Sequence, residues 1–226
     1  MRLPNGLLVL VVLVVVLGGV LLAGLAAAQT KTPQARTLTD VEMLMAGAHA
    51  NRLDVVLYLL DKGVDANAVG KDGFTPLIVA AGQGAASVVE LLLARGADVS
   101  RANAKGWTAL MEASYRDRDA MVRQLLKAGA KLDMHEERDG LTALHVAAKG
   151  DKPASVSALL AAGAAVNAVD RKKGLSALHY ALGSRKKASA EIAAELLVGG
   201  ADAGLAAKDG FTPLMSAVAS GKLAKL

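Results

Sequence analysis

One hexad, written five times, constrains this 226-residue chain more than any other feature. It reads Asp72-Gly73-Phe74-Thr75-Pro76-Leu77, then Lys105-Gly106-Trp107-Thr108-Ala109-Leu110, then Asp139-Gly140-Leu141-Thr142-Ala143-Leu144. It returns as Lys173-Gly174-Leu175-Ser176-Ala177-Leu178 and Asp209-Gly210-Phe211-Thr212-Pro213-Leu214. The glycines stand 33, 34, 34 and 36 residues apart. A second marker closes each unit in the same phase: Gly63-Val64-Asp65, Gly96-Ala97-Asp98, Gly129-Ala130-Lys131, Gly163-Ala164-Ala165 and Gly200-Ala201-Asp202. A fixed period of this length is the signature of a stacked-repeat architecture rather than of a globule.

Each residue type in the unit has a physical task. Glycine supplies a turn conformation that side chains resist. The following Thr or Ser caps a helix by accepting a bond from an orphan backbone N–H, and Pro suits the first helical position. A short Ala-rich helix is expected next, as over Leu77 to Ala81 or Leu144 to Ala148, then a second helix with adjacent aliphatics such as Val88-Val89-Glu90-Leu91-Leu92-Leu93. The closing glycine stops that second helix. Helix pairs this short cannot bury their apolar faces alone, so each must lean on its neighbours. Aromatics make up only 3% of the chain, so the core must be built from small and medium side chains. Ala at the contacts lets helix axes approach closely.

At these residues the chain resembles the ankyrin repeat, whose signature runs DGxTPLHxAA, then a Val/Leu-rich second helix, then GADVN. Asp139 to Ala148 reads DGLTALHVAA, Gly163 to Asn167 reads GAAVN, and Lys173 to Ala181 reads KGLSALHYA. The resemblance implies an all-α solenoid of stacked helix pairs with projecting β-turn loops. Its units are an N-terminal cap over 40–68, repeats over 71–103, 104–137, 138–171 and 172–207, and a partial repeat over 208–226. The fourth full repeat carries extra residues between its helices, where Gly183-Ser184-Arg185-Lys186-Lys187 reads as a basic surface turn. The final unit leaves little room for a second helix, and Leu223 and Leu226 lack the polar face that a terminal repeat needs.

The N-terminus reads as targeting rather than fold. Arg2 precedes 19 uncharged residues, Leu7 to Leu25, and Ala26-Ala27-Ala28-Gln29 then matches a small-x-small processing site. That run exceeds the usual signal-peptide core and is long enough to span a bilayer. A cleaved signal peptide over 1–28 and an uncleaved inner-membrane anchor through residues 7–25 are both open. Either puts the remaining chain outside the cytoplasm, because the positive flank stays inside. Residues 29–39 read as a polar spacer containing Pro33. The whole is expected to resemble exported bacterial ankyrin-repeat proteins, periplasmic or facing the periplasm.

Catalysis finds no foothold. Gly82-Gln83-Gly84 is a repeat turn, not the opening of a strand–turn–helix phosphate site. Glu136-Glu137 reads as a solvated loop pair, His135 as solvated, and His49 as lacking an evident partner. His145 and His179 share one motif position, and the resemblance implies that they tie each turn to the next repeat. No metal, cofactor or small-molecule substrate is expected. Zero cysteines exclude disulfides. A continuous basic groove with interleaved aromatics is missing, so no nucleic-acid partner is expected. The acidic loop at Glu136-Glu137 and the basic one at Arg171-Lys172-Lys173 could pair with each other.

What remains is binding. In ankyrin proteins the residue after the turn glycine faces the concave side and varies with the partner. Here those positions hold Phe74, Trp107, Leu141, Leu175 and Phe211, all apolar. They read either as a partner-binding stripe or as peripheral packing. Trp107, the chain's one Trp, and Tyr115 in the same repeat are the expected anchors, since Trp and Tyr are favoured in interface hot spots. The resemblance implies a non-catalytic scaffold that binds a protein partner through its concave face and loop tips. The alternative is a membrane-anchored structural or stabilising factor for an envelope assembly or enzyme.

Overall fold

The structure is a computed structural model that describes residues 38–221. The expected targeting segment over 1–28, all but the end of the spacer, and the terminal Leu223 and Leu226 lie outside the described residues. Among those described, no helix is long and apolar enough to cross a membrane.

Eleven α-helices and no strands make up the described chain. They come in pairs: α1 (Asp40–His49) with α2 (Leu53–Asp61), α3 (Pro76–Gln83) with α4 (Ala86–Ala94), and α5 (Ala109–Tyr115) with α6 (Asp119–Lys127). Then follow α7 (Ala143–Gly150) with α8 (Pro153–Ala161), α9 (Ala177–Gly183) with α10 (Ser189–Val198), and a single α11 (Pro213–Ala219). The first helices of successive units stack in one continuous row, α1 on α3 on α5 on α7 on α9 on α11. The second helices lie behind them, α2 on α4 and α6 on α8 on α10.

The expected caps start these helices. The hydroxyls of Thr75, Thr108 and Thr212 accept from the N–H groups of Ile78, Met111 and Met215 at 3.2–3.3 Å. One cap lies in the segment read as spacer. Thr39 and Glu42 form a reciprocal capping box, the hydroxyl taking Glu42 N–H at 3.2 Å and the carboxylate taking Thr39 N–H at 2.8 Å. The structured array therefore begins at Thr39, one residue inside the expected spacer.

The core matches the composition. Ala80, Ala81, Ala113, Ala147, Ala148 and Ala181 are fully enclosed where helices meet, and Leu44, Leu59, Leu92, Leu110, Leu125 and Leu196 fill the larger gaps. The extra residues of the fourth full repeat sit as expected between α9 and α10, where Lys186 Nζ donates to the Lys149 carbonyl at 3.0 Å. α11 has no second helix behind it among the described residues, and its Leu214, Met215 and Val218 are exposed.

Between units the chain projects as fingers. Each finger is closed at its base by one backbone bond, from Gly70 N to Phe74 O, Asn103 N to Trp107 O, Glu136 N to Leu141 O, Asp170 N to Leu175 O and Ala207 N to Phe211 O, all at 2.8–3.0 Å. Successive fingers are sewn together through Ala104 N to Asp72 O, Glu137 N to Lys105 O, Arg171 N to Asp139 O and Lys208 N to Lys173 O. A second seam runs behind. Asn67 donates to Gly96 O at 2.8 Å and accepts from Asp98 N at 2.7 Å, and Asn167 does the same with Gly200 and Asp202. Gly106 shows why glycine is needed in the fingers. Its φ is +72°, and a Cβ would stand 2.7 Å from the His135 carbonyl of the next finger.

Candidate functional site: a groove beside Trp107

The finger that ends at Trp107 is built on Asn103. The Asn103 side-chain oxygen accepts from Lys105 N at 2.9 Å and Trp107 N at 3.0 Å, which locks the loop and sets where the indole emerges. The indole N–H then donates to Glu112 Oε2 on α5 at 2.8 Å, and the other carboxylate oxygen takes Arg116 Nε at 2.9 Å. The Tyr115 ring meets Trp107 edge-on, with centroids 6.2 Å apart and planes at 78°. Trp107 therefore sits in one orientation with its polar edge satisfied. An open groove of about 640 Å³ lies alongside, walled by Phe74 and Trp107 and bordered by Lys105, Glu137 and Arg138 from two fingers.

The six expected partner-binding residues do not share one environment. Phe74 and Trp107 are half-buried and line the same groove. Tyr115 is 55% exposed beside them. Leu141 is only 6% exposed, so it interrupts the row. Leu175 is half-buried, and Phe211, at 37% exposed, stands two units beyond Leu141. The structure thus brings together Phe74, Trp107 and Tyr115, and leaves the other three outside that groove.

Two acidic residues have roles that their sequence context hid. Glu136 was expected in a solvated pair with Glu137, but it is 7% exposed. Its carboxylate accepts from the N–H groups of Arg138, Asp139 and Leu141 at 2.7–3.1 Å. Asp170 does the same one finger later for Lys173, Gly174 and Leu175, and also takes the Tyr180 hydroxyl at 2.9 Å. The shared place of Asn103, Glu136 and Asp170 was obscured because the last two fingers are one residue longer between base and apex. Burial pushes the Asp170 carboxyl upward, yet those hydrogen bonds outweigh it and hold it below the usual carboxylate range. Burial first, then the bond to Asp170, pushes the Tyr180 phenol well above the ordinary tyrosine range. With Glu136 turned inward, the basic fourth finger finds another partner, and Lys172 Nζ pairs with Asp139 at 3.0 Å.

The histidines belong to the scaffold. His145 Nδ1 accepts from Thr142 N at 3.2 Å and faces the Thr142 hydroxyl at 2.8 Å, and Nε2 reaches the Leu175 carbonyl at 3.1 Å. His179 repeats this with Ser176 at 3.0 and 2.9 Å and with the Phe211 carbonyl at 3.0 Å. A carbonyl can only accept, so the proton is assigned to Nε2 in both rings. Burial lowers the His145 pKa below the ordinary histidine value. The expected tie to the next repeat is what these bonds make. The other two histidines correct the sequence reading. His49 Nδ1 lies 3.2 Å from Gln83 Nε2, and His135 is half-buried with Nδ1 3.1 Å from the Gly140 carbonyl. Among the described residues no group of three or more His, Asp or Glu could hold a metal ion.

The family model described as ankyrin repeats (3 copies) matches residues 43–136 and 119–192. The chain belongs to the ankyrin-repeat family. A search of curated sequences found no similar protein. Ankyrin repeats are generally protein–protein interaction modules and typically non-catalytic.

Proposed function

We propose that the chain is a non-catalytic adaptor of the cell envelope that holds one protein partner in the groove between Phe74 and Trp107. The observation that carries this reading is the Trp107 indole, fixed by Glu112 and Tyr115 yet open on one side to a groove. An aromatic side chain ordered before binding loses little entropy on contact, which is what an interface anchor requires. The envelope assignment rests on the apolar run from Leu7 to Leu25 and the Ala26-Ala27-Ala28 motif.

Crosslinking pull-down from an envelope fraction tests the adaptor reading. Phe74→Ala with Trp107→Ala should abolish capture while the array stays folded. Both rings are half-buried, so a fall in the melting midpoint of about 2–4 °C per kcal/mol lost is expected. Undiminished capture by the double variant refutes the groove as the interface. The length of the apolar run, 19 residues, supports a second reading, in which the segment stays as an anchor and the array stabilises an envelope assembly. Mass spectrometry separates the two: a mature N-terminus at Gln29 removes the anchor.

A further inference from the structure

The finger that carries Trp107 holds an amide at its base where the two fingers after it hold a carboxylate. At the same place at the finger base stand Asn103, Glu136 and Asp170, and each turns oxygen toward loop N–H groups. A carboxylate accepts such bonds more strongly than an amide does. The loop itself therefore gives no reason for Asn over Asp at position 103. What the amide adds is its Nδ2. That nitrogen has no partner among the described residues, although Asn103 is only 7% exposed and borders the groove. Because the amide oxygen is held by two backbone donors, the nitrogen cannot exchange places with it.

The charges around this donor point the same way. Lys105 and Arg138 border the groove, and neither has an ion-pair partner among the described residues. The oxygens of Glu112 and Glu136 are already engaged by the indole, Arg116 and loop N–H groups. Glu137 is left at the rim with two free cations and a fixed amide donor around the aromatic floor.

We propose that the groove reads an acidic residue next to an apolar one in an extended segment of the partner protein. The apolar side chain lies on Phe74 and Trp107, and the carboxylate accepts from Asn103 Nδ2 under the charges of Lys105 and Arg138. This rests on the reading of the groove as the partner surface and adds its chemistry. Asn103 is then a specificity-determining residue rather than only a loop cap.

The 226-residue chain carries one Trp, so emission from Trp107 reports occupancy of the groove directly. Three synthetic capped hexapeptides serve as probes, identical except that the residue after a Leu is Glu, Gln or Lys. The Glu peptide should shift the emission saturably, and the Gln peptide should bind about tenfold more weakly, as expected for one charge-assisted hydrogen bond. The Lys peptide should not bind. Asn103→Asp should weaken the Glu peptide by at least about tenfold with the urea midpoint unmoved, because a carboxylate already serves in the next two fingers. Equal binding of all three peptides, preference for Lys, or no binding by any overturns the proposal, as does an Asn103→Asp protein with unchanged affinity. Should Asn103→Asp fail to fold, the peptide series on the unaltered chain still decides. A partner lost by the Phe74 and Trp107 double variant but held by Asn103→Asp sinks the carboxylate inference alone. A partner held by the double variant sinks the groove reading itself.

Discussion

The motif histidines offer an internal control on what they contribute. At the position of His145 and His179, three other units carry Ile78, Met111 and Met215. His145→Met therefore installs what the chain already tolerates elsewhere and removes only the polar clamp. His145 is 1% exposed, and the substitution deletes the bonds from Thr142 N at 3.2 Å and the Thr142 hydroxyl at 2.8 Å and the bond to Leu175 O at 3.1 Å. The Leu175 carbonyl keeps Asp170 N at 2.9 Å, so it is not orphaned, whereas the buried Thr142 N–H is. Three lost bonds at about 1 kcal/mol each predict a loss of about 3 kcal/mol at neutral pH. Acid should reduce the difference. Burial holds the His145 pKa below its unfolded value, so its stabilisation is complete above the unfolded pKa and is lost as pH falls toward the folded one. Across that window the original protein loses up to about 1.4 kcal/mol per pH unit that the Met variant does not. Urea unfolding of both proteins at about pH 7.5 and about pH 5.5 measures this, on either side of the ordinary histidine pKa. A gap that stays constant or widens in acid refutes the argument, as does a Met variant as stable as the original at neutral pH.

Three further substitutions probe the fingers and a helix end behind them. Gly129→Ala should cost about 1 kcal/mol, because φ is +86° with nothing within 4 Å, while Gly106→Ala should cost about 1–3 kcal/mol more, since its φ is +72° and its Cβ meets the His135 carbonyl at 2.7 Å. Equal shifts in thermal denaturation would show that the fingers do not press on one another. Tyr180→Phe should remove the highest-pH step of an alkaline ultraviolet titration. The raised folded pKa of Tyr180 means that its stabilisation is present below the unfolded value of about 10 and is lost as pH rises, so the variant should lose less stability in strong alkali.

Legibility in the sequence followed the range of the interaction involved. The caps at Thr75, Thr108 and Thr212 act over three residues, so residue type and spacing were enough to place them. Even Thr39-x-x-Glu42 carries a capping signature, although the spacer reading covered it. The tie made by His145 spans 30 residues and was readable only because the motif recurs and resembles a known family. Glu136 and Asp170 were harder. Longer fingers shift them one place from Asn103 relative to the turn glycine, and nothing local says whether a carboxylate turns inward to N–H groups or outward to water.

The sequence by itself determined the repeat, its phase, the helix starts and the small-residue core, because each depends on neighbours along the chain or on a pattern that the chain writes several times. Only the tertiary structure decided which members of the apolar row meet. Phe74 and Trp107 share a groove while Leu141 is covered, although all three hold the same motif position. The difference arises between fingers, where loop length, the Glu112 carboxylate beneath the indole and the oxygens of Asn103 and Glu136 set each side chain's direction. Those contacts join residues that no periodicity relates, so the groove exists only once the units are stacked.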